Sequence, residues 1–156
     1  MKKVYIIVVL ALVIVLCGCS TTEVATEVAA EEIPPPPTPE AGMAAVTGRV
    51  YSEKTGEPLP GAIVRLAETV RPEEGGGEND VFVLDLAFSP GARTGENGVF
   101  VFENVDPMEY VIVVGDVERT YVIIPDESGK PATWIALPDE ILEVGSLYVS
   151  MGLEDL

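Results

Sequence analysis

The chain has 156 residues, a formal charge of −17 from 26 acidic and 9 basic side chains, and no histidine. Without an imidazole it cannot assemble Ser-His-Asp, Cys-His or HExxH zinc chemistry. The negative field repels nucleic-acid backbones, so DNA and RNA are poor partners, and the length leaves room for one modest core.

Lys2 and Lys3 precede an unbroken apolar run from Val4 to Leu16, the charged start and short apolar stretch of a secretory signal. The run stops well before the about 20 residues that span about 30 Å of hydrocarbon. Leu16-Cys17-Gly18-Cys19 then resembles a bacterial lipobox, with Cys17 where Ala or Ser is more usual. That resemblance implies a signal peptide over residues 1–18, removed on export, and lipidation of Cys19 as the new N-terminus. An uncleaved anchor, or a signal cut elsewhere, is the alternative. One acyl chain binds a bilayer only marginally and two or more hold stably, at about 0.8 kcal/mol per methylene, so Cys19 would tether the protein to a membrane. Ser20 stands where an Asp would favour inner-membrane retention, which leans toward the outer membrane in a cell that has two. With Cys17 removed and Cys19 acylated no disulfide remains, and the core must hold unaided.

Residues 19–45 are rich in Thr, Ala, Glu and Pro, with prolines at Pro34 to Pro37 and Pro39. Proline donates no backbone hydrogen bond and favours an extended chain of about 3.1 Å per residue, so the segment reads as a stalk. An SH3-type ligand is the sharper alternative. Glu23, Glu27, Glu31, Glu32 and Glu40 keep it off anionic headgroups.

From position 46 the texture changes to short apolar runs separated by Gly, Pro, Asn and Asp about every ten residues, the all-β signature. Val46, Gly48 and Val50 alternate with Thr47, Arg49 and Tyr51, and Ala62, Val64 and Leu66 with Ile63 and Arg65. Phe82, Leu84, Leu86 and Phe88 form one stripe, Phe100 and Phe102 a second, and Tyr110, Ile112 and Val114 a third. Further strands are expected at Thr120 to Ile124, Thr133 to Leu137 and Leu142 to Met151. In the last, apolar parity shifts by one at Gly145-Ser146, which predicts a β-bulge. Thr55 to Gly61 reads as a turn, and Asn97-Gly98 as a tight hairpin turn. Seven or eight strands over residues 46–151 predict an antiparallel β-sandwich, followed by a short tail at 152–156.

Val46-Thr47-Gly48-Arg49-Val50 and Thr55 to Leu66 resemble the opening of the carboxypeptidase regulatory-like domain, a transthyretin-like β-sandwich. Thr94-Gly95-Glu96-Asn97-Gly98-Val99-Phe100-Val101-Phe102, then Asn104 to Tyr110, resemble its second signature, with Gly95, Asp106 and Glu109 in place of the usual Asp, Pro and Gly. A long insertion from Glu68 to about Ala92 separates the two. The resemblance implies a fold and no activity. In carboxypeptidases the hydrolase is a separate zinc-bearing domain.

Two features have a chemical reading beside a structural one. Glu73, Glu74, Glu78 and Asp80 surround a glycine turn. Calcium prefers such oxygen ligands, but the order is not that of an EF-hand, and a solvated hairpin tip is the plainer reading. Trp134 lies on the parity opposite Ile135 and Leu137. Facing outward it would stack on a sugar or a protein, and facing inward it would be core. Paired carboxylates for glycoside hydrolysis find no dedicated cleft in a chain this small. The expectation is therefore a non-catalytic binding or structural module of the cell envelope, without cofactor, whose partner is a protein or a glycan. A carbohydrate- or calcium-dependent surface-binding domain is the alternative.

Overall fold

The computed structural model describes residues 37–70 and 81–156. Among them are nine strands: β1 (Ala44–Ser52), β2 (Ile63–Val70), β3 (Val81–Val83), β4 (Gly91–Arg93), β5 (Val99–Val105), β6 (Glu109–Gly115), β7 (Tyr121–Ile123), β8 (Thr133–Ile135) and β9 (Ile141–Val149). A 3-10 turn covers Leu153–Asp155. The smaller sheet has the order β5-β1-β9. In the larger, β2 and β6 pair at the centre, β3 and β4 share the outer side of β2, and β7 and β8 share the outer side of β6. The nine segments thus fill seven strand positions in two layers, the all-β sandwich expected. Pairing is antiparallel except between β1 and β9, which run parallel.

β1 opens at Ala44, inside the stretch read from the sequence as stalk. Ala44 and Ala45 are fully buried, and the backbone N–H groups of Glu40 and Gly42 donate to Asn104 Oδ1 and Asp139 Oδ1 at 2.7 Å each. Both acceptors are non-glycine residues at positive φ, 56° and 64°. Asn and Asp tolerate that region best among residues with a side chain.

The two layers close on a core of Val46, Val50, Val64, Leu66, Tyr110, Ile112, Val114, Leu147 and Val149, with Phe100 and Phe102 edge-on at 5.7 Å. Each such buried side chain contributes roughly 1.5–3 kcal/mol. The predicted bulge is present. Thr47 pairs with Glu143 but Arg49 with Ser146, so one extra residue sits in β9, and Gly145 at φ 77° absorbs it. Leu142 and Val144 before it, and Leu147 and Val149 after it, therefore all reach the interior. Opposite the bulge, a Cβ on Gly48 would strike Val144 and the Phe100 ring, which explains a glycine in mid-strand.

The Asn97-Gly98 turn differs from expectation. Asn97 Oδ1 accepts from the Val99 N–H at 3.0 Å and Gly98 takes φ 76°, but β4 and β5 lie in different sheets, so the turn carries the chain across the sandwich instead of closing a hairpin. Thr94 anchors that crossing. Its buried hydroxyl donates to the Leu59 carbonyl and accepts from the Ala62 N–H at 2.9 Å.

Tyr110, buried at the start of β6, donates its hydroxyl to the Asp106 carbonyl at 2.8 Å, pinning the β5–β6 corner. Burial, then the Asp106 and Glu68 carboxylates, push its pKa up to about 12. At the C-terminus Lys54 bridges Asp155 at 3.1 Å and Glu154 at 3.4 Å. Hydrogen bonds to these carboxylates raise the Lys54 pKa, while the Gly152 N–H and then Lys54 lower that of Asp155.

Candidate functional site

The insertion between the two signature stretches builds most of what is unusual on the surface. The sequence predicted Phe82, Leu84, Leu86 and Phe88 as one stripe of a strand, but the strand ends at Val83. Asp85 breaks it: its carboxylate accepts from the N–H groups of Ala87 and Phe88 at 2.8 and 3.2 Å. Its own N–H donates to Ser89 Oγ at 2.9 Å, and the Ser89 N–H returns to its carbonyl at 2.8 Å. Pro90 follows and has no N–H for a ladder. The Asp-x-x-x-Ser-Pro pattern was the available signal, masked by an apolar alternation that happened to run through the turn.

The stripe divides in two. Phe82 and Leu84 fold onto the outer face of the larger sheet, where with Val117 and Ile123 they cover Ala67, Val111 and Val113 as a small second core. β6 is therefore buried on both faces. Phe88 is instead 87% exposed, and Val81 and Val83 of β3 are about half exposed.

Beside the second core an open groove of about 340 Å³ runs between the insertion and β7, lined by Phe82, Leu84, Leu86, Val113, Val117, Tyr121 and Ile123. It continues, sharing Leu86 and Val117, into a hollow of about 140 Å³ that holds Arg65, Asp116 and Glu118. That in turn shares Ile63, Gly115 and Asp116 with a hollow of about 310 Å³ holding Arg93 and Arg119. Three of the six basic residues among the described ones thus meet in one furrow. Arg65 Nη1 donates to the Leu86 carbonyl at 3.4 Å and Arg93 Nη1 to the Gly61 carbonyl at 2.9 Å. Among the described residues neither has a carboxylate partner, whereas Arg119 Nε lies 3.8 Å from Asp116 Oδ2.

On the opposite face, in the smaller sheet, Tyr51 and Tyr148 stack at 5.4 Å and 19°, and Arg49 Nη1 donates to the Tyr51 hydroxyl at 3.1 Å.

The residues singled out from sequence lie elsewhere. Cys19, and Glu73, Glu74, Glu78 and Asp80, fall outside the described residues. Trp134 has the predicted parity and takes the inward of its two readings. Register pairs it with Tyr110, so it packs partly buried against the main core, while Ile135 and Leu137 are 60% and 47% exposed. Alternation reveals that neighbours face opposite ways but not which way is in, and here the buried pairing partner fixes it. Among the described residues no three acidic or cysteine side chains gather as metal ligands, and no helix is long and apolar enough to cross a membrane.

No protein-family model matches the chain, and no curated protein matches it. Among solved structures it is similar to a candidate carbohydrate-binding protein from Pseudomonas aeruginosa, at 16% identity and TM-score 0.38 over 72% of this chain and 92% of that one. It is also similar to a DUF3823 family protein from Bacteroides uniformis, at 16% identity and TM-score 0.39 over 67% of this chain and 43% of that one. The major pilin SpaD from Corynebacterium diphtheriae matches at 15% identity and TM-score 0.38, over 68% of this chain and 30% of the pilin. The chain thus spans about a third of the pilin's length. Likenesses at this level do not bear on function, and the sandwich stands on its own strand pairing.

Proposed function

We propose that the protein is a lipid-anchored lipoprotein of the bacterial cell envelope, held through Cys19, whose β-sandwich is a non-catalytic module that binds another envelope protein. The signature stretches favour a carboxypeptidase regulatory-like domain, and Ser20 favours the outer membrane where two membranes exist. The observation that carries the binding reading is Phe88, 87% exposed on a turn locked by Asp85 and Ser89. The backbone that presents the ring is already ordered, so docking has only the side chain left to fix, which favours an interface anchor. Strand addition at the β3 edge is the weaker route, since among the described residues β3 offers three.

A photo-crosslinking residue placed at position 88 of the full chain in cells tests this. One dominant adduct, lost when unmodified chain is overexpressed as competitor, is expected. Adducts no different from those at exposed Glu57 would refute it. Replacement of Cys19 by Ala should abolish fatty-acid labelling, and undiminished label would refute the anchor.

The Tyr51–Tyr148 stack supports a second reading, glycan binding on the smaller sheet, because aromatic faces stack on sugar C–H groups. A glycan array that stays blank for the full chain and for Tyr148→Ala alike would remove it.

A further inference from the structure

We propose that Tyr51 and Tyr148 form an oxidative cross-linking site, at which a peroxide acting through a haem peroxidase joins the two phenol rings by a carbon–carbon bond and staples β9 to β1. The inference needs no bound partner, so it depends neither on the Phe88 anchor nor on the glycan reading.

Register sets the pair up. Before the bulge Thr47 lies opposite Glu143, and had that register continued Tyr51 would face the core residue Leu147. The extra residue at Gly145 puts Tyr148 opposite Tyr51 instead. Their neighbours Val50 and Val149 enter the core, so both phenols leave the sheet on its outer face. The strands run parallel, so the paired side chains lean the same way along the sheet, and the rings stack at 5.4 Å and 19°. Arg49 donates to the Tyr51 hydroxyl at 3.1 Å and orients that ring. Among the described residues no strand lies beyond β9, and Tyr148 is 54% exposed, so an oxidant reaches the pair.

Coupling follows from proximity. Each phenol gives up one electron and its hydroxyl proton. The two radicals join at ring carbons ortho to the oxygens, and the hydrogens on those carbons move to the oxygens and restore the phenols. One hydrogen peroxide takes up the two electrons and two protons and leaves as two waters. Rings already in contact react at an effective concentration far above that of rings on separate copies, and copies of net charge −17 repel one another. The other tyrosines among the described residues are placed differently. Tyr110 is buried with its hydroxyl on the Asp106 carbonyl, and Tyr121, exposed, stacks on no ring. The described residues include no cysteine, so a disulfide cannot join these strands. A bond between positions 51 and 148 would close a loop around nearly the whole sandwich, the kind of cross-link that most restricts the unfolded chain.

The full chain treated with peroxidase and hydrogen peroxide, and in parallel with a small photogenerated one-electron oxidant, tests this. A monomer lighter by two hydrogens is expected, with dityrosine fluorescence and a proteolytic fragment pair joining Tyr51 to Tyr148. The yield should be unchanged on about tenfold dilution, because the bond is intramolecular, and should fall by about tenfold or more when the chain is first unfolded in urea. Tyr148→Phe keeps the ring and loses the phenol, and should abolish the cross-link, whereas Tyr121→Phe should leave it intact. The cross-linked chain should melt about 5–20 °C above Tyr148→Phe taken through the same oxidation. Absence of the Tyr51–Tyr148 fragment under both oxidants would overturn the proposal. So would a yield that falls in proportion to dilution, an equal yield from unfolded chain, or a cross-linked chain that melts no higher than the oxidised Tyr148→Phe variant.

Discussion

Replacing Thr94 by Val removes one oxygen from the interior and almost no volume. The Thr94 hydroxyl is the partner of two backbone groups: it donates to the Leu59 carbonyl and accepts from the Ala62 N–H. Its own backbone N–H and carbonyl bind Ala62 and Gly61 and would survive the change. Valine therefore leaves a buried carbonyl and a buried N–H without partners, at about 1–3 kcal/mol each, and returns about 1 kcal/mol for the added methyl. The expected loss is about 1–5 kcal/mol, a large part of the roughly 5–15 kcal/mol that holds such a domain together. It corresponds to a fall in Tm of roughly 5–25 °C for a domain of this size. Calorimetry or thermal circular dichroism of Thr94→Val beside Thr94→Ser reads it directly, since serine keeps the hydroxyl and loses only a methyl. If valine lies within about 0.5 kcal/mol of wild type, or no lower than serine, the hydroxyl is not a buried clasp and the reasoning fails.

Tyr110→Phe should cost about 1 kcal/mol through the lost bond to Asp106. It should also flatten the alkaline stability profile. With its folded pKa pushed up to about 12, above the ordinary value of 10.0, Tyr110 contributes stability that is complete below about pH 10 and lost as pH rises through about 12. Urea melts across that window check both. Gly48→Ala should destabilise by about 1–3 kcal/mol, since the new Cβ meets the Phe100 ring, and a neutral result would contradict the close approach. Gly145→Ala, which meets no atom, should cost about 1 kcal/mol from its φ of 77° alone. Phe88→Ser should leave the unfolding free energy within about 0.5 kcal/mol of wild type, because the side chain is exposed; a large loss would mean that Phe88 packs in the fold.

The sandwich was legible because its central strands obey a period of two, with Val46, Val50, Val64 and Leu66 entering the core as their alternation requires. The bulge was legible because a parity shift in an amphipathic strand has few other causes, and Gly145 sat where it was needed. The furrow was not. Val111 and Val113 lie on the parity opposite the Tyr110, Ile112 and Val114 stripe, and nothing local announces that Phe82 and Leu84 will return to cover them. Asp85 could have been recognised as a turn former, and its neighbours' alternation hid it. Nor did Arg65, Arg93 and Arg119 read as a group, because pairing of β2 with β4 and the turn after β6 bring them together from distant positions.

Among the described residues, each flank of the larger sheet consists of two three-residue pieces with a detour between them, β3 then β4 on one side and β7 then β8 on the other. Along these described edges a neighbouring molecule meets no run of free amides long enough to zip onto, which is how natural sheets avoid templating fibres. The detours thus serve two ends at once: Leu84 and Leu86 on the first of them wall the groove, and the interruption itself discourages coalescence where many copies are crowded side by side. Engineering that straightened residues 84–90 into continuous strand would be expected to erase the groove and make the protein prone to stack into filaments.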